Sequence, residues 1–446
     1  MTELRKNQLF DGEITGFTSD GGGVCRIGGR AVFVPRALPG ELWRVRIVKV
    51  NRTAVWGRGE ALLSEPSPHR IEPACPVYGK CGGCSCGHMD YGEELRFKLG
   101  RVNDALRRIG GLELQAETIL GAETQEGYRN KAIYNFAPGP VCGFYRPRSH
   151  EVVSPGRCLL QPPVFDRAAR ALLDWMKRTG TPAYDETTGR GAVRHLFLRR
   201  GGGDLLACVV SARPLEDSVT EALRRACPEL TGISLCRNDR PGNTVLTEDI
   251  RLLWGRPDVE AALCGARFAL SPLTFFQVNA AQAERLYALA GQYAEPAGKT
   301  VLDLYCGAGS IGLSVARDAA RLIGNDVVPA AVENARRNAA RSGVTNAEYF
   351  CGDAAQVAQK LVREGLRPDV IITDPPRKGM DPSVLEAMAA MAPERIVYVS
   401  CDPGTLARDL KRLRPMGYEA QTCTAVDLFP RTHHVETVVL LSRENK

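Results

Sequence analysis

The chain from residue 271 onward alternates between short apolar segments and helical segments, and this alternation constrains the fold more than any other feature. Segments with strand character are residues 300–305, 321–326, 347–352, 369–374, 395–400, 418–427 and 434–442. Strands that alternate with helices form a parallel, doubly wound sheet that binds ligands at the carboxyl ends of its strands. The last two segments are joined only by the short loop LFPRTH, which predicts an antiparallel hairpin at one edge.

A glycine-rich turn, GAGSIG at residues 307–312, follows the first of these strands and matches the pattern G-x-G-x-x-G. In a dinucleotide site this helix start would face a pyrophosphate, which the nearby acid Asp303 would oppose. Asp303 could instead meet the cationic amino group of S-adenosylmethionine. Asp326 and Asp353 follow the next two strands, where they could accept from ribose hydroxyls and the adenine amino group, or simply cap helices. The acids and the edge hairpin favour a seven-stranded, Rossmann-like methyltransferase.

Two motifs at the ends of later strands indicate the chemistry. TDPPRKG follows the fourth strand, and Arg377 occupies the place where methylases of exocyclic amino groups usually have an aromatic residue. Cys401 follows the fifth strand and is a candidate nucleophile for C6 of uracil, since thiolate addition there makes C5 nucleophilic. Glu436 on the next hairpin could remove the C5 proton. A buried structural cysteine and a solvent-facing glutamate are the alternatives.

His433 and His434 are adjacent on a strand and point to opposite faces, which favours structural or RNA contacts over a metal pair.

In this order, DLYCGAGSIGL, DPPRKG, SCDPGTLARDL and FPRTHHVE closely resemble the motifs of the RNA (uracil-5-)-methyltransferases, and the resemblance covers nearly the whole chain. It implies S-adenosylmethionine-dependent methylation of a flipped uridine, with Cys401 as the nucleophile that forms a covalent C6 adduct and Glu436 as the base. The cofactor and pocket positions that it implies are Gln277, Tyr305, Ser310, Asp326, Asp353 and Asp374. Ser310 stands where the family often has Asn, and Asp326 replaces a common Glu.

The segment ACPVYGKCGGC contains Cys75, Cys81 and Cys84 at a spacing typical of a metal site, with zinc, iron–sulfur and a redox pair as the open alternatives. The family resemblance implies a [4Fe–4S] cluster with Cys158 as its fourth ligand. Cys86 is the competing fourth ligand. The chain has 15 cysteines, and we expect no disulfide framework in a reducing compartment.

The N-terminal part, residues 6–63, consists of short strand patterns separated by glycine-rich turns, which predicts a small β-barrel. Several basic residues lie on or just after one strand and form either an RNA-binding face or a solvated one: Arg44, Arg46, Lys49 and Arg52. By the resemblance, this barrel is a TRAM domain, similar to an OB-fold.

Three domains are expected from the length of 446 residues and these patterns. They are a TRAM barrel at 1–64, a central α+β domain with the iron–sulfur cluster at 65–270, and an α/β catalytic domain at 271–446. Within the central domain, residues 127–270 are expected to be mainly strands with one helix near 164–178. A helix at 92–110 is expected to pack on the catalytic domain.

The net charge of +7 favours a polyanionic partner such as RNA, and no signal peptide or membrane-spanning apolar run is visible. We therefore expect a cytoplasmic, monomeric enzyme that acts on RNA without a membrane partner. The resemblance favours 23S rRNA, with the tRNA T-loop as the alternative. RNA cytosine-5 methylation is less favoured, because those enzymes usually have a Pro-Cys pair after the fourth strand. A non-catalytic RNA-binding cluster protein is disfavoured by Cys401 together with Glu436.

Overall fold

The computed structural model describes residues 4–443, and its first part is a closed barrel of five strands. The ends of the first and last predicted domains, residues 1–3 and 444–446, lie outside the described residues. The barrel strands are β1 (Leu9–Phe17), β2 (Gly23–Ile27), β3 (Arg30–Val34), β4 (Leu42–Val50) and β5 (Val55–Leu62), in the spatial order β1-β2-β3-β5-β4. Inward residues such as Ile14 and Val45 alternate with exposed ones, as a strand with one apolar face requires. The predicted N-terminal barrel is confirmed.

A helix and a strand follow the cysteine-rich segment and pack against the C-terminal sheet. These elements are helix α1 (Tyr91–Ala105), a π-helical turn (Leu106–Gly110) and strand β6 (Ala116–Leu120). Asp90 caps the helix by accepting a hydrogen bond from the amide of Glu93, and Gly111, with φ 63°, ends the π turn in the left-handed conformation. Val102 on the helix is buried in the same apolar core as one face of the C-terminal sheet.

The middle of the chain forms a separate sheet of seven strands in the order β13-β12-β11-β10-β7-β8-β9. The strands are β7 (Lys131–Ala137), β8 (Val141–Tyr145), β9 (Val152–Val153), β10 (Val193–Gly201), β11 (Asp204–Ser211), β12 (Leu230–Arg237) and β13 (Ile250–Gly255). Helices α2 (Pro163–Thr179) and α3 (Ser218–Ala226) pack on each other. The sequence predicted only the first of these helices. Helix α3 is short, and it buries Val219 and Leu223, four residues apart, against the sheet.

A hairpin and a long helix connect the middle sheet to the C-terminal one. They are β14 (Val259–Leu263), β15 (Ala266–Leu270) and α4 (Ala280–Ala294). Asn279 caps α4 by accepting a hydrogen bond from the Gln282 amide at 3.3 Å. The helix covers one face of the C-terminal sheet, where Leu286 and Tyr287 are buried.

The C-terminal sheet has eight strands in the order β18-β17-β16-β19-β20-β22-β21-β6. Its further strands are β16 (Thr300–Leu304), β17 (Arg321–Asp326), β18 (Ala347–Cys351), β19 (Val370–Thr373), β20 (Arg395–Ser400), β21 (Tyr418–Val426) and β22 (Glu436–Arg443). The helices between them are α5 (Ser310–Val315), α6 (Pro329–Arg341), α7 (Ala354–Arg363), α8 (Pro382–Met391) and α9 (Pro403–Leu413), and a 3₁₀ turn (Arg414–Met416) follows α9.

Strands β16 to β20 of this sheet are parallel, and β22 runs antiparallel to both of its neighbours. The Rossmann-like methyltransferase fold and the antiparallel hairpin of β21 and β22 are therefore confirmed, but the hairpin does not form the edge of the sheet. All seven predicted strands form, but the count of seven does not describe the sheet, because β6 pairs in parallel with β21 as an eighth strand. Within residues 4–443, no helix is both long enough and apolar enough to cross a membrane.

Candidate active site

A cavity of about 730 Å³ lies at the carboxyl ends of the parallel strands of the C-terminal sheet, where doubly wound sheets bind their ligands. Seven of the eight predicted catalytic and cofactor residues line it: Gln277, Tyr305, Asp326, Asp353, Asp374, Cys401 and Glu436. Ser310 is not among the lining residues. Its hydroxyl instead shares a hydrogen bond of 3.1 Å with the hydroxyl of Tyr287.

The carboxylates at the ends of β17 and β18 fix the local backbone while they face the cavity. Asp326 accepts hydrogen bonds from the amides of Gly307, at 3.0 Å, and Val328, at 2.8 Å, so it ties the glycine turn to the neighbouring strand. Asp353 caps α7 through one oxygen, Oδ1, which accepts from the amides of Ala355 and Gln356. The helix-cap and ligand interpretations of Asp353 are therefore compatible, because its other oxygen takes no part in the cap.

Asp303 lies behind the glycine turn and is not among the residues that line the cavity. Its side chain is buried, and its Oδ2 accepts a hydrogen bond of 2.9 Å from the amide of Gly312. Burial raises the pKa of Asp303 to about 8, while this hydrogen bond acts in the opposite direction. A Cβ atom at position 312 would lie 2.7 Å from Oδ2, so the third glycine of the motif permits this close approach. The position of Asp303 supports a role in shaping the turn.

Cys401 and Glu436 are brought together by strand register. Ser400 pairs with Thr437 in the antiparallel ladder of β20 and β22, and Cys401 and Glu436 are the next residues outward on each strand. Glu436 is only 4% exposed, and burial, followed by the charge of Asp374, raises its pKa to about 8. Burial, followed by the charges of Glu436 and Asp374, raises the pKa of Cys401 to about 11.

A cation and a third acid complete this end of the cavity. Burial raises the pKa of Asp374 to about 7. The exposed side chain of Arg377 also lines the cavity, and its charge acts to lower the pKa values of both Cys401 and Glu436. Sequence reasoning used Arg377 only to argue against amino-group methylation. The structure adds that its positive charge acts against the effect of burial on both the thiol and the carboxylate.

Comparison with known proteins agrees with this geometry. A family model described as tRNA (Uracil-5-)-methyltransferase matches residues 266–444. An "uncharacterized RNA methyltransferase" of Clostridium tetani is 38% identical, over 98% of this chain and 97% of its own. One of Listeria innocua is 39% identical, over 98% of both chains.

The chain belongs to the RNA (uracil-5-)-methyltransferase family.

Among solved structures, this RNA methyltransferase is similar to the tRNA (uracil-54, C5)-methyltransferase of Pyrococcus abyssi, solved in complex with S-adenosyl-L-homocysteine. The TM-score is 0.80 with 27% identity, and the alignment covers 97% of this chain and 99% of the other. The similarity therefore extends through the barrel and the middle sheet as well as the catalytic fold.

The rim of the methyltransferase cavity carries exposed apolar side chains that sequence reasoning missed. The exposed fractions are 64% for Phe275, 62% for Val327, 50% for Val328 and 49% for Leu273, and all four residues line the cavity. Phe275 is followed by Phe276, which is buried in the core. Two successive aromatic residues in a segment without strand or helix structure were the available signal, since only one of them can face the interior.

The cysteine-rich segment builds a second cavity, of about 190 Å³, that contains all four predicted cluster ligands in its lining: Cys75, Cys81, Cys84 and Cys158. Burial raises the pKa of Cys84 to about 12 and that of Cys158 to about 11. Cys86 is absent from this lining, and its side chain packs with Phe97 in another apolar cluster.

The donor set of this cavity fits a cluster with four thiolate ligands. Arg129 and Gln161 line it, and the Arg129 Nε and Gln161 Oε1 atoms are buried without a hydrogen-bond partner among residues 4–443. A cation at this position suits a group of thiolates. Within the same range, no three His, Cys, Asp or Glu side chains are close enough to hold a single metal ion. Thiols that each bind a different iron need to stand farther apart than the ligands of one ion.

The predicted basic face of the barrel is partly neutralised. Arg44 forms an ion pair with Asp11 at 2.9 Å, and Arg46 forms one with Glu60 at 2.8 Å. Lys49 Nζ stands 5.3 Å from the centre of the Trp56 ring. These contacts order the basic side chains on the barrel surface.

Proposed function

We propose that this enzyme transfers a methyl group from S-adenosylmethionine to C5 of a uridine in RNA, with Cys401 as nucleophile and Glu436 as base. The observation that carries the proposal is the register of β20 and β22, which sets a thiol and a buried carboxylate in one cavity. C5 methylation of uracil requires thiolate addition before the methyl transfer and removal of a carbon-bound proton after it, and these two groups can perform those steps.

The carboxylates at the strand ends suit the cofactor. S-adenosylmethionine supplies a methyl group on a positively charged sulfur. Asp326 can accept hydrogen bonds from ribose hydroxyls, and the Oδ2 atom of Asp353 can accept from an adenine amino group. Gln277 and Tyr305 line the same cavity. Ser310 is a proposed contact that would require its hydroxyl to turn from Tyr287. The Pyrococcus abyssi enzyme was solved with the demethylated form of this cofactor, which supports the same site here.

The chain's own residues account for the proton and electron movements. The thiolate of Cys401 adds to C6 of the uracil, and the electron pair of the C5–C6 bond moves onto the ring as an enolate. C5 of this enolate takes the methyl group as the bond between that group and the sulfonium sulfur breaks, which leaves a neutral thioether. Glu436 then takes the remaining C5 proton, the C5–C6 double bond forms again, and the C6–S bond breaks. A pKa of about 8 makes Glu436 a stronger base than an exposed carboxylate. Burial raises the pKa of the Cys401 thiol. The positive charge of Arg377 acts in the opposite direction and favours the thiolate.

The uracil must leave the base stack to present C5 and C6 to these groups. Phe275 and Val327 on the rim offer apolar surface on which an unstacked base can lie. The residues after Asp374 are two prolines, so the second cysteine typical of RNA cytosine-5 methylation is absent at this position.

We further propose 23S rRNA as the substrate, on the basis of the family resemblance of a barrel-carrying, cluster-bearing chain. A uridine of the tRNA T-loop is the second candidate, because the similar Pyrococcus abyssi enzyme is named for tRNA uracil-54.

The proposed division of the chain has three domains: the TRAM barrel at 1–64, the central domain at 65–270 and the catalytic domain at 271–446. The enzyme is proposed to act as a monomer in the cytoplasm, where both RNAs are made.

The second cavity is proposed to hold a [4Fe–4S] cluster through Cys75, Cys81, Cys84 and Cys158, all of which line it. The cluster would connect the cysteine segment with the start of α2, because the amide of Cys158 donates to the carboxylate of Asp166 on that helix. Its role is therefore proposed to be structural.

The decisive test uses purified enzyme, methyl-labelled S-adenosylmethionine and unmodified 23S rRNA and tRNA transcripts. We expect label in 5-methyluridine of the rRNA, with the position identified by nuclease digestion and mass spectrometry. Label in the tRNA alone would replace the proposed substrate, and label in cytosine would overturn the proposed reaction. Loss of one 5-methyluridine from the rRNA of a deletion strain would identify the site in the cell.

A further inference from the structure

One loop connects the two cavities. We name residues 427–435, between β21 and β22, the catalytic loop, because Glu436 follows it directly. Arg431 on this loop lines the second cavity, here called the cysteine cavity because the four proposed cluster ligands line it. Phe429 and His434 line the active-site cavity. A displacement of the loop at Arg431 would therefore move side chains that line the cysteine cavity and side chains that line the active-site cavity.

The cysteine segment, defined as residues 75–88, holds this loop directly. The amides of Ser85 and Cys86 both donate to the carbonyl oxygen of Arg431, at 3.0 and 3.1 Å. The hydroxyl of Ser85 also lies 3.2 Å from Nδ1 of His433, at hydrogen-bond distance. Cys84, the residue before Ser85, lines the cysteine cavity, so a single peptide bond separates a proposed cluster ligand from these contacts.

Helix α1 holds the opposite side of the loop with buried charges. Lys98 Nζ donates to Glu94 Oε1 at 2.7 Å and to Asp427 Oδ1 at 2.6 Å. It also donates to the carbonyl oxygen of Phe429 at 3.2 Å. Glu94 Oε1 accepts from the amide of Arg431 at 2.7 Å. Lys98 and Glu94 are fully buried, so this side is fixed by the fold.

The backbone conformation of Arg431 is one that surrounding contacts must hold. Its φ of 67° lies in the left-handed region, which is unfavourable for a residue with a side chain and persists only where the surroundings impose it. Glu94 holds the amide of Arg431 from one side, and Ser85 and Cys86 hold its carbonyl from the other. Loss of the second set would leave a strained residue with one anchor.

We propose that the cysteine segment positions the catalytic loop, with Ser85 and Arg431 as the positioning residues, so that an intact cysteine site keeps His434 and Glu436 in place for catalysis. This inference rests on the proposed function for its catalytic consequence, but the coupling itself is a property of the loop. The cysteine site would then affect catalysis indirectly, through the position of the loop, because none of its four thiols lines the active-site cavity.

The test compares Ser85→Ala with Ser85→Thr, which keeps the hydroxyl, and with Ser154→Ala as the matched control. Ser154 is exposed and lies next to Pro155, which lines the cysteine cavity. In the iron-loaded, full-length protein, we expect amide hydrogen exchange of peptides over residues 428–436 to be about threefold to tenfold faster in Ser85→Ala, as loss of one hydrogen bond implies. Ser85→Thr and Ser154→Ala should exchange like the unmodified protein.

The kinetic constants provide a second readout. We expect Ser85→Ala to lower kcat by a similar factor and to leave KM for S-adenosylmethionine unchanged, because Ser85 does not line the cofactor cavity. Cys84→Ala should accelerate exchange in the same peptides. If Cys84→Ala unfolds, exchange rises in every peptide, and Ser85→Ala alone decides.

Unchanged exchange over residues 428–436 in Ser85→Ala would overturn the proposal that the Ser85 side chain positions the catalytic loop. This readout does not depend on RNA methylation. If the unmodified protein fails to methylate RNA, the proposed function fails, whereas the exchange comparison still supports or overturns the link between the cysteine segment and the loop.

Discussion

Cys401 and Glu436 stand at the same end of two hydrogen-bonded strands, one just after β20 and the other at the first position of β22. This arrangement predicts a stable covalent adduct with RNA that contains 5-fluorouridine. The fluorine at C5 replaces the proton that the base must remove before the thiolate can leave. Cys401→Ala should abolish the adduct in a denaturing gel. Cys351→Ala, which changes an exposed cysteine, should form it normally. An adduct that persists in Cys401→Ala would contradict the assignment of the nucleophile.

Glu436→Gln should separate methyl transfer from product release. The amide cannot accept the C5 proton, so the methylated uracil should remain bonded to Cys401, and ordinary RNA should then give a denaturation-resistant complex that carries labelled methyl. We expect turnover to fall by about 10²-fold to 10⁴-fold, which is typical of loss of a general base. Labelled RNA released at the normal rate would assign the base elsewhere.

Proton removal should depend on pH in a direction that the charges around Glu436 determine. The carboxylate acts only when ionised and burial raises its pKa to about 8, so the rate should increase as pH rises from about 6 through 8. Arg377 lowers this pKa, so Arg377→Gln should move the midpoint to higher pH. Lys378→Gln, the neutralisation of a neighbouring cation, is the control and should leave the midpoint in place. A midpoint that moves to lower pH in Arg377→Gln would contradict the electrostatic assignment.

The exposed ring of Phe275 should contribute to RNA affinity. Base–aromatic stacking contributes about 1–3 kcal/mol per base, so Phe275→Ala should raise KM for RNA by about fivefold or more. KM for S-adenosylmethionine should change little. Leu252→Ala is a suitable control, because Leu252 is 43% exposed on β13, a strand of the middle sheet. Equal RNA affinity in both variants would assign the rim another role.

Iron content should distinguish the proposed fourth cluster ligand from its competitor. Cys158→Ala should lose iron and the visible absorbance of the cluster, since Cys158 lines the cysteine cavity. Cys86→Ala should retain both, because Cys86 packs against Phe97 outside that lining. The opposite pattern, measured by metal analysis of anaerobically purified protein, would make Cys86 the ligand.

Periodicity was enough to predict the catalytic sheet and the barrel, because each strand there is a local apolar segment with a clear turn or helix on either side. Strand β17, for example, spans Arg321–Asp326, the residues that the pattern indicated. The same reasoning missed α3, although Val219 and Leu223 carry a helical spacing, because the surrounding residues resemble strands and turns.

Contacts between distant parts of the chain gave no local signal. Strand β6 has only five residues, two of them exposed, and its partner β21 lies about 300 residues away. The link from Ser85 to the catalytic loop, which joins residues more than 300 positions apart, is of the same kind. Motifs indicated which side chains could react, but packing decided which of them face the cavity.

The parallel pairing of β6 with β21 also affects how the catalytic region would behave as a separate fragment. The matched family region, residues 266–444, does not contain β6, so that region alone would leave β21 as an uncovered edge with unpaired backbone groups. We therefore expect the matched region alone to be more prone to aggregation than the full chain. A fragment that keeps the eight-stranded sheet includes residues 116–120.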